Sequence, residues 1–573
     1  MTRKVLSLAL CALMVLVSTS CSSKSPVSSE DASSSNSSSS EASSTPSTEE
    51  HYYNEPGTLP IVKEAVSLTF GVPQVATIED WETNEYTLYL EKQTGIDLNF
   101  ETYPADEYLS KIDLMMAAGG KDLPDVLTGT NFSLTSLVGW ANAGHVIAVT
   151  DYYDSLAHYL PISLDACENT DFDTTLRLIT SYDGKIYGMP SYFEQANDFV
   201  SQDRCIIYKP WLEALKMEHP TTLDEFREYL QKVRDNDMNG NGDATDEIPL
   251  IGYKDSLEQL KNLLLSPFLL SNGVDFWYID DGKVAFNYNR EEYAEGLRYI
   301  KGLLEDGLLD PMTFTQDHAQ MTAMITGDPH RVGAFLRSSQ SNIPKDDPRW
   351  ADFSCYAYAL AGPSGERYSS YRAAVPKITY LITSECEYPE AAFLLADYMS
   401  SEECSYINRY GFKDRDWFEV DPAEGKYVNL YGNELVRYNE ANAKWGKLQN
   451  IWWGNLGVSI LSTKLMHASA IENNPEAAAT IYTKNVAESS LDALKYTDPS
   501  RVLYGIVYNE EEAEIQEDVF APIKTYVNEC FSRFCLGDLS IDEDWDKYCA
   551  ELDQMGLEKV QKSVQECYDR MLG

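Results

Sequence analysis

Val66-Ser67-Leu68-Thr69-Phe70-Gly71 reads as a strand, and it opens an alternation of elements from which the architecture can be inferred. Thr87 to Thr94 closes a helix, and Ile96-Asp97-Leu98-Asn99-Phe100 is a second strand. Helical spacing runs from Tyr108 to Ala118, Gly119-Gly120 ends it, and Asp125-Val126-Leu127 begins a third strand. Strands alternating with helices indicate a parallel sheet with helices wrapped over it, an α/β fold. The pattern recurs downstream. Cys205 to Tyr208 reads as a strand, Trp211 to Met217 as a helix, and Thr222 to Arg234 as a helix opened by the capping signal Thr-Leu-Asp-Glu. Glu291 to Asp306 is a long amphipathic helix, Arg331 to Leu336 a strand and Pro389 to Ser400 a helix, while Asp542 to Leu572 reads as nearly continuous helix. No internal repeat is visible.

Beyond residue 55 about 520 residues remain, more than one hydrophobic core accommodates, so two lobes are the minimum. The net charge is −46, from 91 acidic and 45 basic side chains. Such a field makes nucleic acid and anionic membrane surfaces poor partners, and its plain meaning is solubility outside the cell. The 38 tyrosines and 10 tryptophans suit the lining of a sugar cleft, where rings stack on pyranose faces. They serve equally as core and surface filler. Past Cys11 and Cys21 an odd set of cysteines remains: 167, 205, 355, 386, 404, 530, 535, 549 and 567. No CxxC occurs, so neither a disulfide framework nor a zinc site is indicated, and most should be small buried hydrophobes.

The amino-terminal segment speaks to location. Arg3 and Lys4 precede an apolar run from Val5 to Val17, too short to span a bilayer and of the length of a signal-peptide core. Ser18-Thr19-Ser20-Cys21 comes next, then fifteen serines between Ser22 and Glu50. This resembles the lipobox of bacterial lipoproteins, with Ser18 where leucine is usual, and the resemblance implies a lipid anchor of the palmitate kind on Cys21. The serine tract suits a flexible tether. An ordinary secretory signal is the alternative. Residues 1–20 carry no charge except Arg3 and Lys4, so their removal takes −46 to −48.

The sharpest chemical motif is Asp235-Asn236-Asp237-Met238-Asn239-Gly240-Asn241-Gly242-Asp243-Ala244-Thr245-Asp246-Glu247. Oxygen-bearing side chains on alternate residues, with glycines in a tight turn, suit a hard cation taking six to eight oxygens, with Ca2+ expected in a structural role. Two registers are open, one starting at Asp235 and one at Asp237; a solvated polar turn is the plainer reading. The chain has no HExxH, GxSxG, Walker A or GxGxxG motif, and its seven histidines lack ligand spacing. Carboxylates abound, but no pair stands out as a glycosidase dyad.

Several segments together resemble one family, the extracellular solute-binding lipoproteins of bacterial ABC importers, in its large oligosaccharide-binding branch of alginate-binding and LplA-like proteins. They are Gly119-Gly120-Lys121-Asp122-Leu123-Pro124-Asp125-Val126, Gly184-Lys185-Ile186-Tyr187-Gly188-Met189-Pro190 and Pro220-Thr221-Thr222-Leu223-Asp224-Glu225-Phe226 following Trp211-Leu212. Glu305-Asp306-Gly307-Leu308-Leu309-Asp310-Pro311 and the tail Asp544-Trp545-Asp546-Lys547-Tyr548 with Met555-Gly556-Leu557 complete the set. Order and spacing agree over residues 65 to 573; Lys209-Pro210 departs from the family's usual residues before the tryptophan.

The resemblance implies a two-lobed periplasmic-binding-protein fold of class II type, with ligand between the lobes and closure on binding. It implies a signal peptide at 1–20 and a lipid-anchored linker at 21–55. Lobe 1 is then expected from 56–190 with 323–378, and lobe 2 from 191–322 with 379–573. Chain crossings are expected near Tyr187 to Asn197, Met312 to Thr322 and Ala373 to Ser384. It selects the second metal register: Asp237, Asn239, Asn241, Asp243, Asp246 and Glu247. Ligands of such folds sit beyond the carboxyl ends of strands. That nominates Trp81, Asn84, Thr130, Asn131, Tyr192 and Glu194, with Trp277, Arg337, Arg372, Trp452 and Trp453 as further candidates. The adjacent Trp452-Trp453 is expected to turn one ring to the cleft.

The implied function is non-catalytic capture of an oligosaccharide, neutral or basic given the chain's charge, and its delivery to an ABC permease. The protein is expected as a monomer on the outer face of the cell membrane, held there only by lipid. The alternatives are a lipid-anchored surface sensor or adhesion protein and a glycoside hydrolase.

Overall fold

The computed structural model describes residues 51–194, 204–270, 276–340, 343–344, 347–353, 355–357, 359–371, 373–431, 437–439 and 447–572. In chain order its strands are β1 (Val66–Gln74), β2 (Ile96–Pro104), β3 (Val126–Thr128), β4 (Met189–Phe193), β5 (Cys205–Ile207), β6 (Ile248–Ile251), β7 (Trp277–Asp280) and β8 (Lys283–Phe286). They continue as β9 (Val332–Leu336), β10 (Cys355–Ala357), β11 (Lys377–Ile382), β12 (Trp417–Glu419), β13 (Tyr427–Val428), β14 (Arg437–Asn439), β15 (Ile460–Leu461) and β16 (Ser469–Glu472).

The opening stretch folds as its pattern predicts. β1 and β2 pair in parallel from Val66 with Ile96 to Gln74 with Pro104, and β3 lies parallel on the other side of β1. Between them stand helices Glu85–Thr94 and Tyr108–Ala117, the first ended by Gly95 in the left-handed region. β11 then adds antiparallel to β3 and to β4, and β15 joins β4 in parallel, giving a six-stranded sheet ordered β15-β4-β11-β3-β1-β2. A second sheet is ordered β10-β5-β9-β6, with β6 and β9 parallel and β5 antiparallel to β9.

Each sheet has its own core. Leu68, Phe70, Val126, Met189, Tyr380 and Leu381 anchor one around the first sheet. The second sheet is apolar on both faces: Ile207, Leu250, Ala334 and Leu336 pack to one side, and Ile206, Ile251 and Phe335 to the other. Burial on both faces is why these strands read as continuous apolar runs instead of alternating ones. Helix Leu223–Arg234 covers the second sheet and carries the expected capping box, Thr222 and Glu225 bonding each other's backbone.

The lobe boundaries differ from the sequence partition. β9 and β10, placed with lobe 1 in 323–378, are strands of the second sheet. β11 from residue 379 on and helices Pro389–Met399 and Glu402–Tyr410, placed with lobe 2 in 379–573, pack in the first core through Leu381, Phe393, Leu395 and Cys404. No crossing occurs at Met312 to Thr322, because Met321 packs with Ile206 and Phe335 of the second sheet. An apolar strand states that it is buried but not in which sheet, and that ambiguity misassigned these segments.

The carboxyl-terminal helix is two: Ile541–Gln554 and Leu557–Leu572 are separated at Gly556, whose φ is 97°. Helix Lys209–Ala214 stops short of the expected Met217, with Lys216 at φ 56°. All eight cysteines with described side chains are free thiols, five of them buried. Among the described residues no helix is long and apolar enough to cross a membrane.

Candidate functional site

β4 of the first sheet ends at Phe193, and Arg204 leads into β5 of the second sheet. The chain thus leaves the first sheet at the carboxyl end of β4 and enters the second at the end where β9 terminates, Cys205 pairing with Leu336. Two further contacts join the two parts of the molecule: Thr135 Oγ1 donates to the Tyr508 carbonyl (3.4 Å) and Arg177 Nη1 to the Met571 carbonyl (3.1 Å).

On the first side Glu194 is 2% exposed and accepts four hydrogen bonds. Its Oε1 takes the backbone N–H groups of Glu168 (2.6 Å) and Asn169 (2.5 Å) and the Asn169 side-chain amide (3.0 Å), while Oε2 takes the Thr463 N–H (2.6 Å). A carboxylate so satisfied is a clasp, holding the 168–169 loop and the start of helix Thr463–His467 against β4. Around it three buried polar atoms have no hydrogen-bond partner: Tyr192 Oη, Thr463 Oγ1 and His467 Nε2. The His467 ring stacks on Tyr431 at 3.9 Å, and burial holds its pKa below the usual imidazole value, with Glu194 opposing. Burial chiefly, then Glu194, raises the Tyr192 phenol.

On the second side Arg337 follows β9 and lies over the ring of Tyr253, which follows β6, with its carbon 5.6 Å from the ring centre. Arg337 Nη1 donates to Tyr253 Oη, and Arg337 Nε is buried without a partner. His318 meets the Tyr253 ring edge-on at 5.2 Å, and its Nε2 is also buried and unpartnered. Natural proteins pair nearly all buried polar atoms, so these atoms, like Tyr86 Oη and Tyr293 Oη in the cores, have hydrogen-bonding capacity that the chain itself does not use.

The nominated residues separate into two groups. Tyr192, Glu194 and Arg337 lie at these strand ends, and Thr130 and Asn131 follow β3 on more open backbone. Trp81, Asn84, Trp277, Trp452 and Trp453 are instead built into cores. Trp81 stacks on Phe100 at 5.5 Å and meets Trp453 edge-on at 5.4 Å. Asn84 caps helix Glu85–Thr94 through the Tyr86 N–H and reaches the Trp452 carbonyl. Trp277 packs on Phe286 and Phe520.

The adjacent Trp452 and Trp453 are 2% and 0% exposed, against the expectation that one faces a cleft. Successive side chains point opposite ways, and a core waits on each side: Trp453 enters the first core, Trp452 a cluster with Tyr406, Tyr410 and Trp417. Arg372 lies outside the described residues. Tyr253, His318, Thr463 and His467 escape the sequence reading. Tyr253 is within reach of the strand-end rule, since β6 is succeeded at once by Gly252-Tyr253, whereas the other three are brought in by helices.

The 235–247 loop is organised about its own oxygens. Asp237 accepts the N–H groups of Asn241 (3.1 Å) and Gly242 (2.8 Å), and Asp246 accepts both side-chain amides, Asn239 (3.3 Å) and Asn241 (2.9 Å). Gly240 and Gly242 take φ of 72° and 91°, as the tight turn requires. Glu247 Oε1 accepts the Met238 N–H at 2.8 Å, while Oε2 is buried without a partner. Asp243 turns outward to Thr245. Among the described residues no three His, Cys, Asp or Glu side chains converge as a metal cluster; here carboxylates alternate with amides.

Two sheets with separate cores, joined by crossings and facing each other across strand ends, define the class of two-lobed binding proteins. The family assignment agrees: residues 76–403, more than half the chain, match the bacterial extracellular solute-binding protein family, and the chain belongs to it. It is 25% identical over 500 residues to the fructooligosaccharide ABC transporter substrate-binding protein FusA of Streptococcus pneumoniae serotype 4, covering 84% of this chain and 86% of FusA. The structure of FusA with kestose superposes with a TM-score of 0.66 at 23% identity, over 88% of this chain and 99% of that one. A FusA EF-hand mutant with fructo-nystose gives 0.65 at 22% over the same shares. A solute-binding protein associated with an HMO-binding ABC transporter of Bifidobacterium longum infantis gives 0.68 at 18%, again over 88% and 99%. Lipoprotein LipO of Bacillus subtilis is 22% identical over 366 residues, 60% of this chain and 65% of LipO.

Proposed function

We propose that this chain captures an oligosaccharide between its two lobes and delivers it to the membrane subunits of an ABC importer, without catalysis. The observation that carries this is a set of buried, unpartnered polar atoms near strand ends of both sheets: Tyr192 Oη with Thr463 Oγ1 and His467 Nε2 of the adjoining helix in one lobe, and Arg337 Nε with His318 Nε2 of helix His318–Ile325 in the other. Hydroxyls, an imidazole and a guanidinium are the donors and acceptors a polyhydroxylated ligand satisfies. FusA and the Bifidobacterium protein, transport-associated binding proteins by name, support the ligand class. Thr130 and Asn131 would extend the site along the first lobe. Glu194, the carboxylate among the nominated residues, is engaged with donors of its own chain, which speaks against a hydrolytic role for it.

Export with the 1–20 signal, lipidation of Cys21 and tethering through the serine-rich segment would hold the monomer on the outer face of the membrane; the lipoprotein relative LipO supports this. Asp237, Asn239, Asn241, Asp243, Asp246 and Glu247 of the 237–247 loop would hold Ca2+ in a structural role. The orphaned Glu247 Oε2 and the FusA EF-hand mutant support that reading. Bound there, the ion would pin the end of helix Leu223–Arg234 to β6.

The test is a thermal-shift screen of the chain from residue 22 against an oligosaccharide panel in saturating calcium. A ligand at a hundredfold excess over Kd adds about 2.7 kcal/mol to stability, a shift of a few degrees at this size. A shift with an intact glycan recovered by mass spectrometry is expected; cleavage of the glycan would establish the hydrolase instead.

A further inference from the structure

Arg337 differs from most arginines of this chain. Arg227, Arg290, Arg298, Arg349, Arg415 and Arg570 each hold a carboxylate, as a protein with twice as many acids as bases readily allows. Arg337 holds none: its guanidinium has the Tyr253 hydroxyl, the face of that ring, and an orphaned Nε. It is half-buried, so water does not replace the missing anion fully.

Its neighbours deepen the asymmetry. β5 and β9 are in antiparallel register with Cys205 opposite Leu336, and the next pair is Arg204 and Arg337, joined by the Arg337 N–H to the Arg204 carbonyl at 3.1 Å. Directly opposed residues share a sheet face, so both arginines arise from the same face of the sheet, the Arg204 guanidinium going to partners of its own. The Arg204 side chain is 2% exposed and donates to Ser489 Oγ (2.9 Å) and the Ser338 carbonyl (3.1 Å). Tyr253 Oη accepts from Arg337 and keeps its own proton to donate, and His318, with its orphaned Nε2, stands at the positive first turn of helix His318–Ile325.

We infer that Arg337, Tyr253 and His318 form a subsite for an anionic group on the ligand, a carboxylate or sulfate carried by an acidic sugar. This subsite rests on the capture function proposed above and names its substrate class. It reverses the expectation of a neutral or basic glycan drawn from net charge. The whole-molecule field is screened beyond about 8 Å at physiological salt, whereas a guanidinium in contact acts unscreened and offers a planar fork matched to an oxyanion.

Titration calorimetry on the chain from residue 22, in calcium, tests this with matched probes: 3′-sialyllactose against lactose, trigalacturonate against its methyl ester, and kestose. An acidic probe is expected to bind at least about tenfold tighter than its neutral counterpart. Arg337→Met should erase that preference, weakening the acidic probe by about 10–100-fold and by at least about tenfold more than it weakens the neutral one. Tyr253→Phe, which keeps the ring, should give a smaller loss in the same direction and serves if Arg337→Met does not fold. A neutral probe bound as tightly as its acidic partner, kestose bound tighter than every acidic probe, or an acidic preference that survives both substitutions overturns the anionic subsite and leaves capture standing. Binding of no probe overturns the capture function and the subsite with it.

Discussion

Glu194 shows how one residue's role turns on its partners. As a carboxylate just past a strand it invites a ligand-contacting role, yet its oxygens are committed to four donors of the same chain. Glu194→Ala strands those donors in a buried place and is expected to cost about 3 kcal/mol, read by denaturant unfolding; a loss below about 1 kcal/mol would refute the clasp. Lys261 is a second case. Its ammonium is buried over Phe531 at 4.8 Å and bonds Asn528, and burial pushes its pKa down from 10.5 to about 8. Below pH 8 folded and unfolded chains both hold the proton, and the folded chain bears the full desolvation cost. Between 8 and 10.5 only the unfolded chain holds it, so stability rises with pH. Lys261→Met is therefore expected to stabilise by about 2–3 kcal/mol at pH 7, a gain that shrinks toward pH 10.5. A gain independent of pH would contradict this assignment.

Among the secondary elements, the metal loop and the helix break carry separate predictions. If Ca2+ pins the loop, a chelator lowers the melting temperature of the wild-type chain, and Asp237→Ala with Asn241→Ala removes the chelator's effect along with the stabilisation. A chelator response that persists in the double variant would place the ion elsewhere. Gly556 separates the last two helices at φ 97°, with Val519 Cγ1 only 3.2 Å from where a Cβ would stand. Gly556→Ala is expected to cost about 1–2 kcal/mol, measured by denaturant melts. The sequence shows helical periodicity on both sides of that glycine and so reads as one helix. The turn exists because both helices pack in the second core, through Tyr548 and Leu552 on one and Val560 and Val564 on the other.

Across the molecule, lobes joined by a few crossings and by edge contacts such as Thr135 to Tyr508 should close on ligand. Small-angle scattering is expected to show a smaller radius of gyration with a saturating oligosaccharide than without it. An unchanged radius would mean that binding needs no closure.

Local and periodic features were legible in the amino-acid order alone. Strand and helix alternation from Val66 to Leu127, the Thr222–Glu225 cap, the spacing of oxygens from Asp237 to Glu247 and the family motifs all depend on residues close in the chain, where period and turn chemistry act directly. The strand-end rule nominated Tyr192 and Glu194, which do stand at the end of β4, for the same reason. Which sheet β9 and β11 join was settled only by the folded chain, since burial of an apolar strand does not name its neighbours. The same holds for Trp452 and Trp453, each of which enters a core because two cores flank that segment. Packing in space also left Arg337 without a carboxylate and Glu194 saturated, since a charge finds its counter-charge among residues far away in the chain.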